Sequence, residues 1–163
     1  MNKNLKKIWI MHDTQYGNGK ILAELIAKEL PSDYEISIGD VKTTPAITVA
    51  QETPQLLILG GAIRKFQGPK RSNKWLKTLS QELAKTNATI PYGAGTLTHM
   101  MPPDATKGYR KRFLKNVSKS PAITSWYGEC LSAQVKGIKG PLRASEFEKA
   151  KQFIDDIMAW AKL

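Results

Sequence analysis

Thr14-Gln15-Tyr16-Gly17-Asn18-Gly19 is the stretch of this chain whose residue types most plainly suit chemistry. It is small, polar and rich in glycine, and it lies between two different hydrophobic patterns. Before it, Ile8-Trp9-Ile10-Met11 is short, apolar and partly β-branched, as befits a strand buried on both faces. After it, Leu22, Leu25 and Ile26, with Ala23 and Ala27, recur at the spacing of an amphipathic helix over residues 18–30. The stretch therefore turns a strand into a helix. Backbone N–H groups at a helix N-terminus lack intrahelical acceptors and carry the positive end of the dipole, so such a turn suits an anion, and phosphate is the natural candidate.

Other reactive side chains are few. His12 and His99 are the two histidines. His12, beside Asp13 at a strand end, has the composition for acid–base work or metal ligation, but structural hydrogen bonding is the simpler reading. His99 follows an expected fourth strand, where it either contacts a ligand or serves a plain loop role. Cys130 has no cationic or histidine neighbour in sequence and reads as a small buried residue rather than a nucleophile. A single cysteine excludes an internal disulfide and a multi-cysteine metal site, and makes a reducing cytoplasm the expectation. No catalytic triad, GK[ST] phosphate loop or paired-carboxylate pattern is present.

The elements that must position these residues alternate. Tyr34, Ile36 and Ile38 alternate with polar residues as a second strand, and residues 40–54, with two prolines, read as a loop or at most a short, weak helix. Gln55-Leu56-Leu57-Ile58-Leu59, stopped by Gly60-Gly61, is a buried third strand. Trp75, Leu76, Leu79 and Leu83 predict a helix from Ser72. A fourth strand is expected over 89–95, a basic helix near 106–117 and a fifth strand over 122–138, broken or bulged at Gly128. Ser145-Glu146-Phe147-Glu148 has the form of a capping box opening a last helix through Ile154, Ile157, Met158 and Ala161. Strands alternating with helices imply a parallel sheet covered on both faces, with ligands at the carboxyl ends of the strands. Three glycine-containing segments, 14–19, 60–68 and 93–98, are expected there. The 163 residues, with no linker, repeat or low-complexity tract, read as one domain, residues 1–163.

The charge is unusual: 25 Lys+Arg against 14 Asp+Glu, a net +11. Arg64, Lys65, Lys70, Arg71, Lys74 and Lys77 form one cluster, and Lys107, Arg110, Lys111, Arg112, Lys115 and Lys119 the other. Such a surplus attracts acidic proteins, nucleic acid or anionic surfaces, or simply solvates two faces. No nucleic-acid motif accompanies it, and Tyr109, Phe113, Leu114 and Val117 fall at the spacing of a core-facing helical stripe. The four-residue apolar run at 8–11 is too short for a signal sequence or a membrane span.

In Thr14-Gln15-Tyr16-Gly17-Asn18 after the first strand, in Leu57 to Arg64 at the third, and in the five-fold βα order, the chain resembles the flavodoxin-like family. The segment Val135–Leu142 is also similar to one found in some flavodoxin-domain proteins. The resemblance implies a three-layer α/β sandwich with a five-stranded parallel sheet of order 2-1-3-4-5, non-covalent FMN, and electron transfer as a carrier or small reductase. It implies that Thr14 and Tyr16 support the phosphate while Gln15, Gly17, Asn18 and Gly19 present amides. Gly61, Ala62, Ile63, Arg64 and Phe66 after strand three, and Gly95 and Thr96 after strand four, would then flank the isoalloxazine ring. A redox partner protein is implied too, acidic if the basic surface meets it.

The sequence departs from the family in three places. Gly19 replaces a hydroxyl residue, removing one hydrogen bond of about 1 kcal/mol; Lys20 either offsets this by charge or points to solvent. Residues 95–100 contain no Phe, Tyr or Trp, so Phe66 either stacks on the ring or is a loop anchor. Arg64 puts a cation near the flavin, which would raise its reduction potential. The alternative is a flavin-free module of the same fold that uses its basic surface to bind an acidic protein or nucleic acid.

Overall fold

The computed structural model describes residues 5–137 and 139–163. Five parallel strands, β1 (Lys6–His12), β2 (Tyr34–Asp40), β3 (Leu56–Ala62), β4 (Ile90–His99) and β5 (Ile123–Gln134), form one sheet in the order β2-β1-β3-β4-β5. Between and after them run α1 (Asn18–Glu29), α2 (Ala46–Glu52), α3 (Lys70–Ala84), α4 (Lys107–Val117) and α5 (Ser145–Ala161), with a 3-10 turn at Pro103–Thr106 leading into α4. This is the expected α/β sandwich and strand order.

The pleat sorts the core. Ile8, Ile10, Leu56 and Ile58 face α1 and α5, where Leu22, Ile26, Ile154 and Ile157 meet them. Trp9, Met11, Leu57 and Leu59 face the opposite layer of α2, α3 and α4, against Val49, Trp75, Leu79 and Phe113. Of the expected α4 stripe, Phe113 and Val117 are buried, and Tyr109 and Leu114 pack at its edge. Phe113 is 1% exposed, so truncation to alanine costs about 3–5 kcal/mol.

Of the loop or short helix expected over 40–54, the structure has the short helix, α2, its apolar Ala46, Val49 and Ala50 buried against the core. Other expectations are corrected. α3 opens two residues earlier than Ser72, directly after Pro69, and Ser72 is a buried first-turn residue whose hydroxyl donates to the Gly60 carbonyl at 2.7 Å. β4 runs on to His99, because its later residues pair with both β3 and β5. Gly95 and Thr96 are therefore inside a strand rather than in a loop after it. β5 is continuous, and the register shift opposite Gly93 and Gly95 places the bulge at Tyr127-Gly128-Glu129. It ends at Gln134, with Val135 pairing back to Leu142, and the last residue of the expected strand, Ile138, lies outside the described residues. The capping box does not form: Ser145 is the first helical residue, and its hydroxyl bonds Glu146 rather than a backbone amide.

Candidate functional site

The sheet's winding reverses between β1 and β3, since the chain leaves β1 for β2 on one side and continues to β3 on the other. A crevice at the carboxyl ends follows from that reversal. Here it is a cleft of about 680 Å³ between the turn after β1, the hairpin after β3 and the start of the loop after β4. That volume falls within the range of small-molecule sites.

The β1–α1 turn is the cleft's polar end. Gly17 takes φ +89°, a conformation that costs a side-chain-bearing residue, and its carbonyl accepts the Ile21 amide at 3.0 Å as α1 begins. Among the described residues, none accepts a hydrogen bond from the amides of Thr14 through Lys20. The Thr14 hydroxyl is buried and also lacks a partner. The Lys42 ammonium donates to the Thr14 carbonyl and pairs with Asp40 at 3.6 Å. The Asn18 side chain is buried against Gly140, whose φ of +92° and close approach leave no room for a Cβ. The Lys139 ammonium lies 5.9 Å from the centre of the Tyr16 ring.

The β3–α3 connection is self-contained. The Arg64 amide donates to the Gln67 carbonyl at 3.1 Å and the Gln67 amide to the Arg64 carbonyl at 2.8 Å, closing a two-residue hairpin. Lys65 and Phe66, at φ +49° and +59°, occupy the left-handed positions that a type I′ turn usually gives to Asn and Gly. The Phe66 side chain is thrown outward, 79% exposed, while its carbonyl accepts the Tyr109 hydroxyl at 2.8 Å.

An ion pair bridges the two walls. The Asp13 carboxylate, 2% exposed, receives Arg64 Nη1 at 2.9 Å and Nη2 at 3.4 Å, and Nη2 also donates to the Asp13 carbonyl at 3.2 Å. Arg71 approaches the same carboxylate at 3.6 Å. A carboxylate so withdrawn from water requires such partners. Arg64 is consequently a latch between β1 and β3, and its charge is matched within the site.

Both histidines are buried. His99 Nδ1 is 2.7 Å from the Met101 carbonyl. A carbonyl only accepts, so Nδ1 carries the proton and Nε2 presents a lone pair, which is buried without a partner. Burial lowers the His99 pKa below its ordinary value, outweighing that hydrogen bond. His12 is lowered too, first by burial, although Asp40 at 3.9 Å opposes the shift. Its Nδ1 has no hydrogen-bond partner among the described residues, so the expected structural hydrogen bonding is not what holds it. Cys130 is buried, and desolvation pushes its thiol up to about 12.

No protein-family model matches the sequence, and no curated protein matches it. Solved structures do. The chain resembles oxidised flavodoxin 2 from Bacillus cereus, at TM-score 0.69 and 16% identity, over 94% of this chain and 99% of that one. It resembles the flavodoxin WrbA-like protein from Agrobacterium tumefaciens at TM-score 0.71 and 13% identity, over 96% and 98%. It also matches rubredoxin oxygen:oxidoreductase from Desulfovibrio gigas at TM-score 0.69 and 14% identity, over 97% of this chain and 37% of that one. The fold is flavodoxin-like. At these identities the likeness speaks for the backbone alone.

Within the flavodoxin-like fold, Thr14, Gln15, Tyr16, Asn18, Gly19, Ala62, Ile63, Arg64 and Phe66 all border the cleft, and Gly17 shapes its turn. Gly61, Gly95 and Thr96 do not border it. Gly61, one residue before the end of β3, packs against Pro69 and Ser72, and Gly95 leaves space for the Phe113 ring, which a Cβ would meet at 2.8 Å. Thr96 is buried beneath the cleft floor beside Gly60. Their places are taken by Thr98, His99, Met100, Met101 and Val135. The signal for this was β4's length: alternation carried to His99 moves its loop to Met100. Asp13 was visible beside His12, but its pairing with Arg64, 51 residues on, is a tertiary fact.

Proposed function

We propose that the cleft binds FMN non-covalently and that the chain takes part in electron transfer, as a carrier or small reductase. The observation that carries this reading is the turn at 14–20, with its unpartnered amides and the orphaned Thr14 hydroxyl at the opening of α1. That donor set suits a terminal phosphate, because charge-assisted bonds to amides and the helix dipole both favour an anion there. Ala62, Ile63, Met100, Met101 and Val135 supply apolar walls for a flat heterocycle. The flavin, when bound, supplies the redox chemistry, and the protein supplies position and surroundings.

The rest is done by the chain's own groups. The Asp13–Arg64 latch fixes the width of the cleft. The Arg64 charge is matched by Asp13, so the cations that would favour a more negative occupant are Lys65 at the cleft, Arg71 behind the pair and Lys139 beside Tyr16.

Titration of FMN against the purified protein, read by quenching of flavin fluorescence, tests the reading. One-to-one quenching is expected, with riboflavin, which lacks the phosphate, binding about tenfold or more weakly, and Thr14→Val weakening FMN but not riboflavin. Absence of quenching, or equal affinity for the two flavins, overturns the assignment and favours a flavin-free binding module. Among the described residues, no helix is long and apolar enough to cross a membrane.

A further inference from the structure

The two helical layers differ in charge. Helices α2, α3 and α4 carry nine Lys and Arg against two Asp and Glu, whereas α1 and α5 carry four against six. A surplus that served solubility alone would have no reason to gather on one layer. It also gathers at the cleft end of that layer. In a parallel sheet the helices start where the strands end, so α3 and α4 open at the same end of the sheet as the cleft, and neither first turn contains an acidic residue, although Asp104 lies in the 3-10 turn before α4. Lys70 and Lys107 instead open them, against the helix dipole, whereas α5 opens on Glu146 and Glu148. Lys65, Lys70, Lys107 and Lys111 are exposed and, among the described residues, paired with no carboxylate.

Apolar groups stand within this field. Phe66 is 79% exposed and Met100 52%, and both border the cleft. The strained turn holds Phe66 outward, and the Tyr109 hydroxyl ties the turn's backbone to α4, the helix that carries Lys107 and Lys111. An apolar anchor ringed by charge is the anatomy of a protein interface. Nucleic acid is less well served. Tyr109, the aromatic interleaved with the α4 cations, is half-buried and covered by Arg112 at 5.6 Å, leaving no second ring on this face for a base to stack on.

We propose that the hairpin at 64–67 and the opening turns of α3 and α4 form the docking face for an acidic protein, anchored on Phe66 and steered by Lys65, Lys70, Lys107 and Lys111. The proposal deepens the electron-transfer reading and rests on it for the partner's redox role, because this face brings a partner to the cleft's open side. The docking itself stands on charge and exposure alone.

The test uses the full chain with two acidic probes, a rubredoxin of net negative charge and poly-L-glutamate, and with a thymidine oligonucleotide and anionic phosphatidylserine vesicles as competitors. Binding is followed by amide chemical shifts at low and moderate salt. Expected are shifts confined to 64–70 and 100–112, and a loss of about tenfold or more in rubredoxin affinity in the triple variant Lys70→Glu/Lys107→Glu/Lys111→Glu. Lys28→Glu/Lys151→Glu on the other layer should change affinity less than about twofold. Phe66→Ala should lose about fivefold for rubredoxin but little for poly-L-glutamate, which needs charge without an apolar anchor. Equal losses from the two reversal sets, tighter binding of the oligonucleotide or vesicles than of rubredoxin, or no binding of either acidic probe at low salt overturns the proposal. FMN titration of the triple variant separates the two readings. Its FMN affinity should match the wild type's, so lost docking with intact FMN binding locates the effect on the surface, and docking without FMN binding would retain this face while refuting the flavin.

Discussion

The two turns that face each other across the cleft solve opposite problems. The turn after β1 uses Gly17 to reach φ +89° without strain and leaves its amides open. The turn after β3 pairs the amides of Arg64 and Gln67 across its base and places Lys65 and Phe66, neither of them glycine, in left-handed conformations. One turn is relaxed and open, and the other is closed at its base but strained. The difference indicates where each interacts. Open amides are completed by something entering the cleft, whereas a strained hairpin closed at its base serves to hold its side chains out at the cleft's rim.

The largest effect should come from removing what couples the two turns. Arg64→Met leaves the Asp13 carboxylate buried with Arg71 alone, at 3.6 Å and mostly exposed, and should cost about 2–4 kcal/mol in urea denaturation. A loss under about 0.5 kcal/mol would mean that the walls are held together by other contacts. Gly17→Ala forces a Cβ into the left-handed turn and should cost about 1–2 kcal/mol, with about tenfold weaker FMN binding. Gly68→Ala is the matched control, since nothing lies within 4 Å of its added carbon, and it should be neutral.

The opposite sign is expected in the hairpin. Replacing Lys65-Phe66 by Asn-Gly relieves both left-handed positions and should stabilise the fold by about 1 kcal/mol, at the expense of the docking anchor. Destabilisation would show that the turn is not strained. The smallest effect is a pH dependence in the β4 wall. The His99 pKa is lowered in the folded protein, so the unfolded chain binds the proton more readily. The stability due to the neutral ring is then complete above the unfolded pKa of about 6.5 and is lost as pH falls below it. The melting temperature of the wild type should drop between pH 7 and 5.5, and that of His99→Gln should drop about 1–3 °C less.

What could be read from the residues followed the range of each interaction. β1, β3 and α1 declare themselves because hydrophobic period and burial are local properties, and the anion-binding turn follows from their junction. The strand expected over 89–95 stops four residues short of His99, because a segment with Pro91, Gly93 and Gly95 carries a weak local strand signal. The lack of side chains at Gly93 and Gly95 serves Ile123, Trp126 and Phe113, which reach them only in the folded sheet. The capping box does not form for a related reason: Ala144 already has helical backbone, and the Glu146 amide donates to the Arg143 carbonyl at 3.0 Å. The Asp13–Arg64 latch and the exposure of Phe66 belong to tertiary contact and had no local signal.

The silence of the single thiol has a practical corollary. With Cys130 sealed beneath α4 and its acidity suppressed to about 12, thiol-directed probes should ignore the native protein and react only after denaturation. A cysteine introduced at Lys111 or Lys70 would then be the sole labelling position, giving a spectroscopic ruler from that residue to any bound molecule without first deleting a native sulfur.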